Sequence, residues 1–201
     1  MKAVFIGIML LLLSACTTII TDQYNKQALD GSIDVWSASG RISIIQEQEN
    51  WYAKFNWQQQ HNDFQIRFTG PFGETELELS RIDQYVVLQT PSVKRSSNNL
   101  ELLIYQETGW QLPVSSLKFW LQGQANPAVS ADISYDEQQQ ISDIVQSGWH
   151  IRYLKRMQVE LLKGSHTFLP KKIIAEKEKT KIKLIITRWQ TGITTMTPHA
   201  N

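Results

Sequence analysis

Apolar positions recur at every second residue from Arg41 onward. Trp51, Ala53, Phe55 and Trp57 alternate with Tyr52, Lys54, Asn56 and Gln58, the pattern of a strand with one buried face. A turn at His61-Asn62-Asp63 leads to a second run, in which Phe64, Ile66 and Phe68 alternate with Gln65, Arg67 and Thr69. Gly70-Pro71-Phe72-Gly73 interrupts the pattern, and Thr75, Leu77 and Leu79 then alternate with Glu74, Glu76 and Glu78. A further strand covers Tyr85–Gln89. Ser97 or Asn98 can cap a helix carrying Leu100, Leu103 and Ile104, with Gly109 suited to its end. A second helix is predicted over 114–122, presenting Leu117, Trp120 and Leu121 and stopping at Gly123. Strands resume near Ile133 and over 141–145, 149–154, 158–162, 171–177 and 181–189. No repeat or linker divides this region, so the residues point to a single antiparallel sheet, strongly curled.

The beginning of the chain follows a different pattern. After Met1 and Lys2 comes an apolar run of eleven residues, 3–13. A helix needs about 20 residues to span a bilayer, so the run has the length of a signal-peptide core rather than of a membrane span. Leu13-Ser14-Ala15-Cys16 follows and resembles the bacterial lipoprotein signal. That resemblance implies removal of residues 1–15 and acylation of Cys16, the one cysteine in the chain. In an exported protein a lone thiol is a liability that a thioether to lipid removes. Three acyl chains hold firmly to a membrane where one binds only marginally. Thr17 in place of the Asp that signals inner-membrane retention in this lipoprotein class implies the outer membrane, periplasmic leaflet. Residues 16–31 read as a tether with a short helix opened by Asp22. Residues 190–201 read as a frayed tail, which leaves 32–189 as the folded domain.

Composition narrows the function. At 201 residues and 42% hydrophobic the chain buries a core without a staple or a metal. With 20 Lys and Arg against 19 Asp and Glu it lacks the basic excess of a nucleic-acid reader. A single cysteine excludes an internal disulfide and a multi-cysteine metal site. His61, His150, His166 and His199 lack ligand spacing, and neither a phosphate-binding loop nor a nucleophile elbow is present. No metal, cofactor or enzymatic activity is expected. Glu74, Glu76 and Glu78 share one face at a spacing of two, which suits either an acid/base or cation cluster or a solvated outer face, and the outer face is the plainer reading. The lysines of 171–183 alternate with Ile173, Ile182 and Leu184 and read as outer face as well. Phe72 is unusual at a turn that favours Asn, Asp or Gly. Its ring either folds back onto the sheet or stands out as a prong for a membrane.

Trp36 with Gly40-Arg41, WYAKFNWQQ (51–59), FQIRFTGPFGETELELS (64–80), GWQLPVSSLKFWLQG (109–123), GWHIRY (148–153), LPKKII (169–174) and ITRW (186–189) occur in that order. Together with the lipoprotein signal they resemble the LolB family over about residues 30–189. The resemblance implies a mainly β (α+β) fold: an incomplete antiparallel barrel of about eleven strands, with about three short helices, enclosing an apolar cavity. It also implies a monomeric receptor that accepts triacylated lipoproteins from the periplasmic carrier LolA and inserts them into the outer membrane. In the family the tip residue is commonly Leu, and the loop matched by Gly70, Pro71, Phe72 and Gly73 is the part linked to membrane insertion. The candidate lining of the cavity is Trp51, Phe55, Trp57, Phe64, Ile66 and Phe68, with Leu117, Trp120 and Leu121 from the second helix. At about 0.8 kcal/mol per buried methylene, acyl chains do not cross water unshielded. The same apolar stripe equally describes a filled core, or a half-barrel for another apolar ligand or protein partner. For Arg41 the expectation is hydrogen bonding at a sheet edge.

Overall fold

The computed structural model describes residues 33–192 apart from Asp83, Leu162 and Lys163. Cys16, the tether helix and residues 193–201 lie outside the described residues. Eleven strands form one antiparallel sheet: β1 (Val35–Gln46), β2 (Glu49–Gln60), β3 (Asp63–Thr69), β4 (Thr75–Ile82), β5 (Tyr85–Gln89), β6 (Lys94–Ser97), β7 (Ala131–Tyr135), β8 (Ile141–Gln146), β9 (Trp149–Glu160), β10 (His166–Lys177) and β11 (Thr180–Thr191). Their order is β6-β5-β4-β3-β2-β1-β11-β10-β9-β8-β7. The chain therefore enters at mid-sheet, meanders out to β6, crosses to β7 and meanders back until β11 pairs with β1. The edge strands β6 and β7 do not pair with each other, which leaves the barrel incomplete. Their connection carries the two described helices, α1 (Leu100–Thr108) and α2 (Val114–Trp120).

The expected strand count holds, but it is reached differently. Lys94–Ser97 carries no apolar alternation and no strand was expected there, yet it pairs with β5 as a short edge strand. The segments 149–154 and 158–162 fuse into the single strand β9. β10 reaches back to His166 through Pro170, beside which the register shifts; such a bulge accommodates a residue that cannot donate to the ladder. β11 continues to Thr191, so the folded domain runs past 189. The first helix begins one residue later than expected, because the Asn99 side chain accepts from the Leu102 amide at 3.0 Å while Ser97 Oγ accepts from the Asn99 amide. The second helix is shorter than 114–122 and ends in a tight turn after Trp120.

One buried apolar cluster fills the concave side of the sheet. At its centre Trp36 lies 5.6 Å from Trp57 and 5.3 Å from Trp189, ring centre to ring centre. Trp57 Nε1 donates to Gln59 Oε1 and Trp189 Nε1 to the Pro170 carbonyl, so the two flanking indoles are buried with their polar atoms satisfied. The β1–β11 register shifts at Ser39/Gly40. A Cβ on Gly40 would lie 2.1 Å from the Ile185 carbonyl oxygen, which explains glycine there: two backbones approach too closely for any side chain. Arg41 follows on a central strand, exposed on the outer face, and so has no sheet-edge role. The described residues all belong to one compact unit.

Candidate functional site

All nine candidate lining residues face the concave side. Phe55, Trp57, Phe64, Ile66, Phe68, Leu117, Trp120 and Leu121 are buried and Trp51 is half-buried. They form a packed layer. The Trp51 ring lies tilted 4.5 Å from Trp110 and edge-on 5.4 Å from Phe68, and Trp57 lies 6.4 Å from Phe64. α1 adds Leu100, Leu103 and Ile104, and α2 adds Leu117 and Trp120, to the hollow of the half-barrel. The cleft remaining between sheet and α2 measures about 270 Å³ and is walled by Trp57, Phe64, Leu100, Val114 and Phe119. Among the described residues the hollow holds the buried side chains of the sheet and of both helices, so in this conformation the protein's own side chains take up the apolar interior. An empty apolar hollow would forfeit dispersion contacts along its lining, and the helices settle into it instead. At the mouth of the cleft, burial and then the Arg81 charge hold the Lys118 ammonium below the ordinary lysine range, against the opposing pull of Asp34.

A polar node latches α2 in place. Trp120 Nε1 donates to Gln146 Oε1 at 2.9 Å, and the Asn126 amide donates to the same oxygen at 3.0 Å. Gln146 Nε2 in turn donates to the carbonyls of Asn126 and Val129. The Tyr153 hydroxyl donates to the Trp120 carbonyl at 3.0 Å, and burial pushes its phenol far above the ordinary tyrosine range, so it remains a donor. Neither Gln146 nor Tyr153 was named as a site residue, although Tyr153 closes the GWHIRY motif. The signal for Gln146 was present in the alternation, since two residues after the buried Ile144 a polar side chain takes an inward position.

The tip loop forms a tight turn. The Gly73 amide donates to the Gly70 carbonyl and the Gly70 amide to the Glu74 carbonyl. Gly73 has φ 91°, which side chains rarely adopt. This geometry leaves the Phe72 ring 97% exposed, so it does not fold back onto the sheet. The glutamate row is split: the Glu74 and Glu76 carboxylates both lie beside Gly70, and Glu78 is apart from them. A bulge makes Phe68 oppose Leu77 while Thr69 opposes Thr75. Glu76 thereby accepts from Trp51 Nε1 at 2.9 Å, while Glu78 binds Arg67 and Gln65 on the outer side. Among the described residues no group of His, Cys, Asp and Glu is placed to hold a metal ion.

The family model described as "Outer membrane lipoprotein LolB" matches residues 34–189. The chain belongs to the LolB family. The outer-membrane lipoprotein LolB of Marinomonas sp. (strain MWYL1) is 33% identical over 181 residues, covering 89% of this chain and 92% of that protein. That of Nitrosococcus oceani is 33% identical over 162 residues, covering 80% and 78%. A LolA superfamily protein from Nitrosomonas europaea shares the fold, with a TM-score of 0.59 at 12% identity over 88% of this chain and 96% of that one. The family is thus one of outer-membrane lipoproteins, and this chain carries its fold over nearly the whole of the described residues.

Proposed function

We propose that this LolB-family chain is anchored through acylated Cys16 in the periplasmic leaflet of the outer membrane. There it takes triacylated lipoproteins from the carrier LolA as a monomer and delivers them to the bilayer through Phe72. The exposed Phe72 ring carries this reading: burying a side chain of that size in an apolar phase gains about 1.5–3 kcal/mol, which water denies it here. Acyl chains enter by displacing α1 and α2. Helices of nine and seven residues hold their shape only by packing, and acyl chains offer the sheet the same apolar contact. Cargo moves in the direction of better binding, and the tether at Cys16 keeps the bilayer at high local concentration.

The test mixes the chain beginning at Thr17 with a purified carrier–lipoprotein complex and follows the acylated cargo. Co-elution with the receptor is expected. Retention on the carrier by a folded receptor would refute the acceptor role and favour another apolar ligand. Phe72→Glu is expected to take up cargo normally but to release it poorly to vesicles. Normal release by that variant would remove the prong.

A further inference from the structure

Several cations on the outer face of the sheet are paired. Arg67 pairs with Glu78, Arg152 and Lys181 both pair with Glu176, and Lys179 pairs with Glu47. Others, Lys155, Lys171, Lys172 and Arg188 among them, have no ion pair among the described residues, and three of the unpaired cations line one trough. A trough of about 450 Å³ runs beside the base of the tip loop, walled by Arg41, Tyr52, Lys54, Pro71, Lys183 and Ile185. Its three cations have no acidic partner among the described residues. Arg41 and Lys54 stand directly opposite each other on β1 and β2, an arrangement in which like charges destabilise a sheet. The same cross-strand row passes from Arg41 to Ile185 on β11 and then to Lys172 and Lys155. A second hollow of about 490 Å³ shares Arg41 and Lys54 and extends to Arg67. In a chain of net charge +1 this clustering is local.

Lys54 pairs with Thr69, the last residue before the loop, so the cations lie at the foot of the Phe72 prong. Around them Tyr52 and Ile185 are exposed apolar residues. An apolar projection with unpaired cations behind it matches the order of groups met on entering a bilayer from water, with phosphates outside and acyl chains within.

We propose that the trough formed by Arg41, Lys54 and Lys183 is a docking surface for the phosphates of phospholipid headgroups, which sets the depth and tilt at which Phe72 meets the membrane. The proposal rests on the reading of Phe72 as a membrane prong and adds a second, electrostatic contact to it. Glu74, exposed at the end of the loop, opposes that contact, so its removal strengthens binding.

The experiment is co-sedimentation of the chain beginning at Thr17 with vesicles of equal parts phosphatidylethanolamine and phosphatidylglycerol, and with vesicles of phosphatidylcholine alone. Arg41→Gln, Lys54→Gln and Lys183→Gln are each expected to weaken binding to the anionic vesicles by about fivefold. The loss is expected to shrink in high salt and to be small on phosphatidylcholine. Glu74→Gln is expected to tighten binding to the anionic vesicles. Phe72→Glu is expected to weaken binding to both compositions. All four charge changes lie on exposed or half-exposed positions, and an unchanged unfolding midpoint verifies the fold. Undiminished anionic binding by the triple cation variant overturns the proposal, even where Phe72→Glu fails to bind. Loss of binding by the triple variant with none in Phe72→Glu keeps the headgroup site and refutes the prong. A triple variant that binds vesicles normally but no longer receives cargo from the carrier assigns the trough to a protein partner and overturns the proposal as well.

Discussion

Trp36 and Phe72 are both large aromatic residues next to strands, and their surroundings could hardly differ more. Trp36 is wholly buried between two further indoles at the centre of the sheet, with β11 on one side of its strand and β2 on the other. Phe72 is 97% exposed and belongs to no aromatic contact among the described residues. One ring holds the half-barrel together and contributes nothing to its outside. The other contributes nothing to the fold and is held away from it by a turn of two hydrogen bonds. An exposed apolar ring that costs the fold nothing to lose is a marker of interaction, whereas a buried ring of the same size marks only the core. The two should therefore separate cleanly under substitution.

The largest effect is expected at the buried end. Trp36→Ala should lower unfolding free energy by about 3–5 kcal/mol, the range for truncating a buried aromatic, seen as a shift in denaturant midpoint. The folded fraction should bind vesicles normally; a loss below about 1 kcal/mol would show that the centre repacks. Next comes Gln146→Leu, which strands Trp120 Nε1 and the Asn126 amide without their acceptor. Leaving a buried polar group unpaired costs about 1–3 kcal/mol, and loosening α2 should also speed cargo entry in the transfer assay. Equal stability with unchanged entry would mean that the node does not latch the helix.

Phe72→Glu sits at the opposite end of the comparison, with stability expected within about 0.5 kcal/mol of the parent and the whole effect in release to the bilayer. A marked drop in its unfolding midpoint would dissolve the contrast. The smallest effect belongs to Glu176 on the outer face, whose carboxyl is held below the usual glutamate range by its hydrogen bond to Lys181 and then by Arg152, against the cost of burial. A depressed folded pKa stabilises above the unfolded value and loses that contribution as pH falls through the folded one. Glu176→Gln should therefore be slightly less stable than the parent at neutral pH and equal to it in strong acid, by urea titration at the two pH values. Solvent screening at this third-exposed site keeps the difference small.

Much of this was legible along the chain. Alternation alone assigned Phe55, Trp57, Phe64, Ile66 and Phe68 to one buried face, and the ordered motifs from Trp36 to Trp189 pointed to the family that the comparisons identify. What failed to show did so for identifiable reasons. β6 has no apolar residue to alternate and is a strand only because β5 offers it a ladder. Glu74, Glu76 and Glu78 keep a perfect period of two, but a bulge opposite Phe68 breaks the face they would have shared. The missing acid beside Arg41, Lys54 and Lys183 is invisible in a sequence whose charges nearly cancel.

The periodicity of two, the turn residues and the lipoprotein signal are properties of neighbours in the chain. They sufficed to determine a curled antiparallel sheet, its buried face and an expected lipid anchor at Cys16. Whether the hollow stands open or filled, whether Phe72 lies down or stands out, and which charges find partners depend on distances between residues far apart in sequence. Helix α2 meets Gln146 across 26 positions, and Arg41 meets β11 across more than a hundred. Only the curled geometry of the half-barrel fixes those distances, because each is the sum of many strand registers that no local pattern contains.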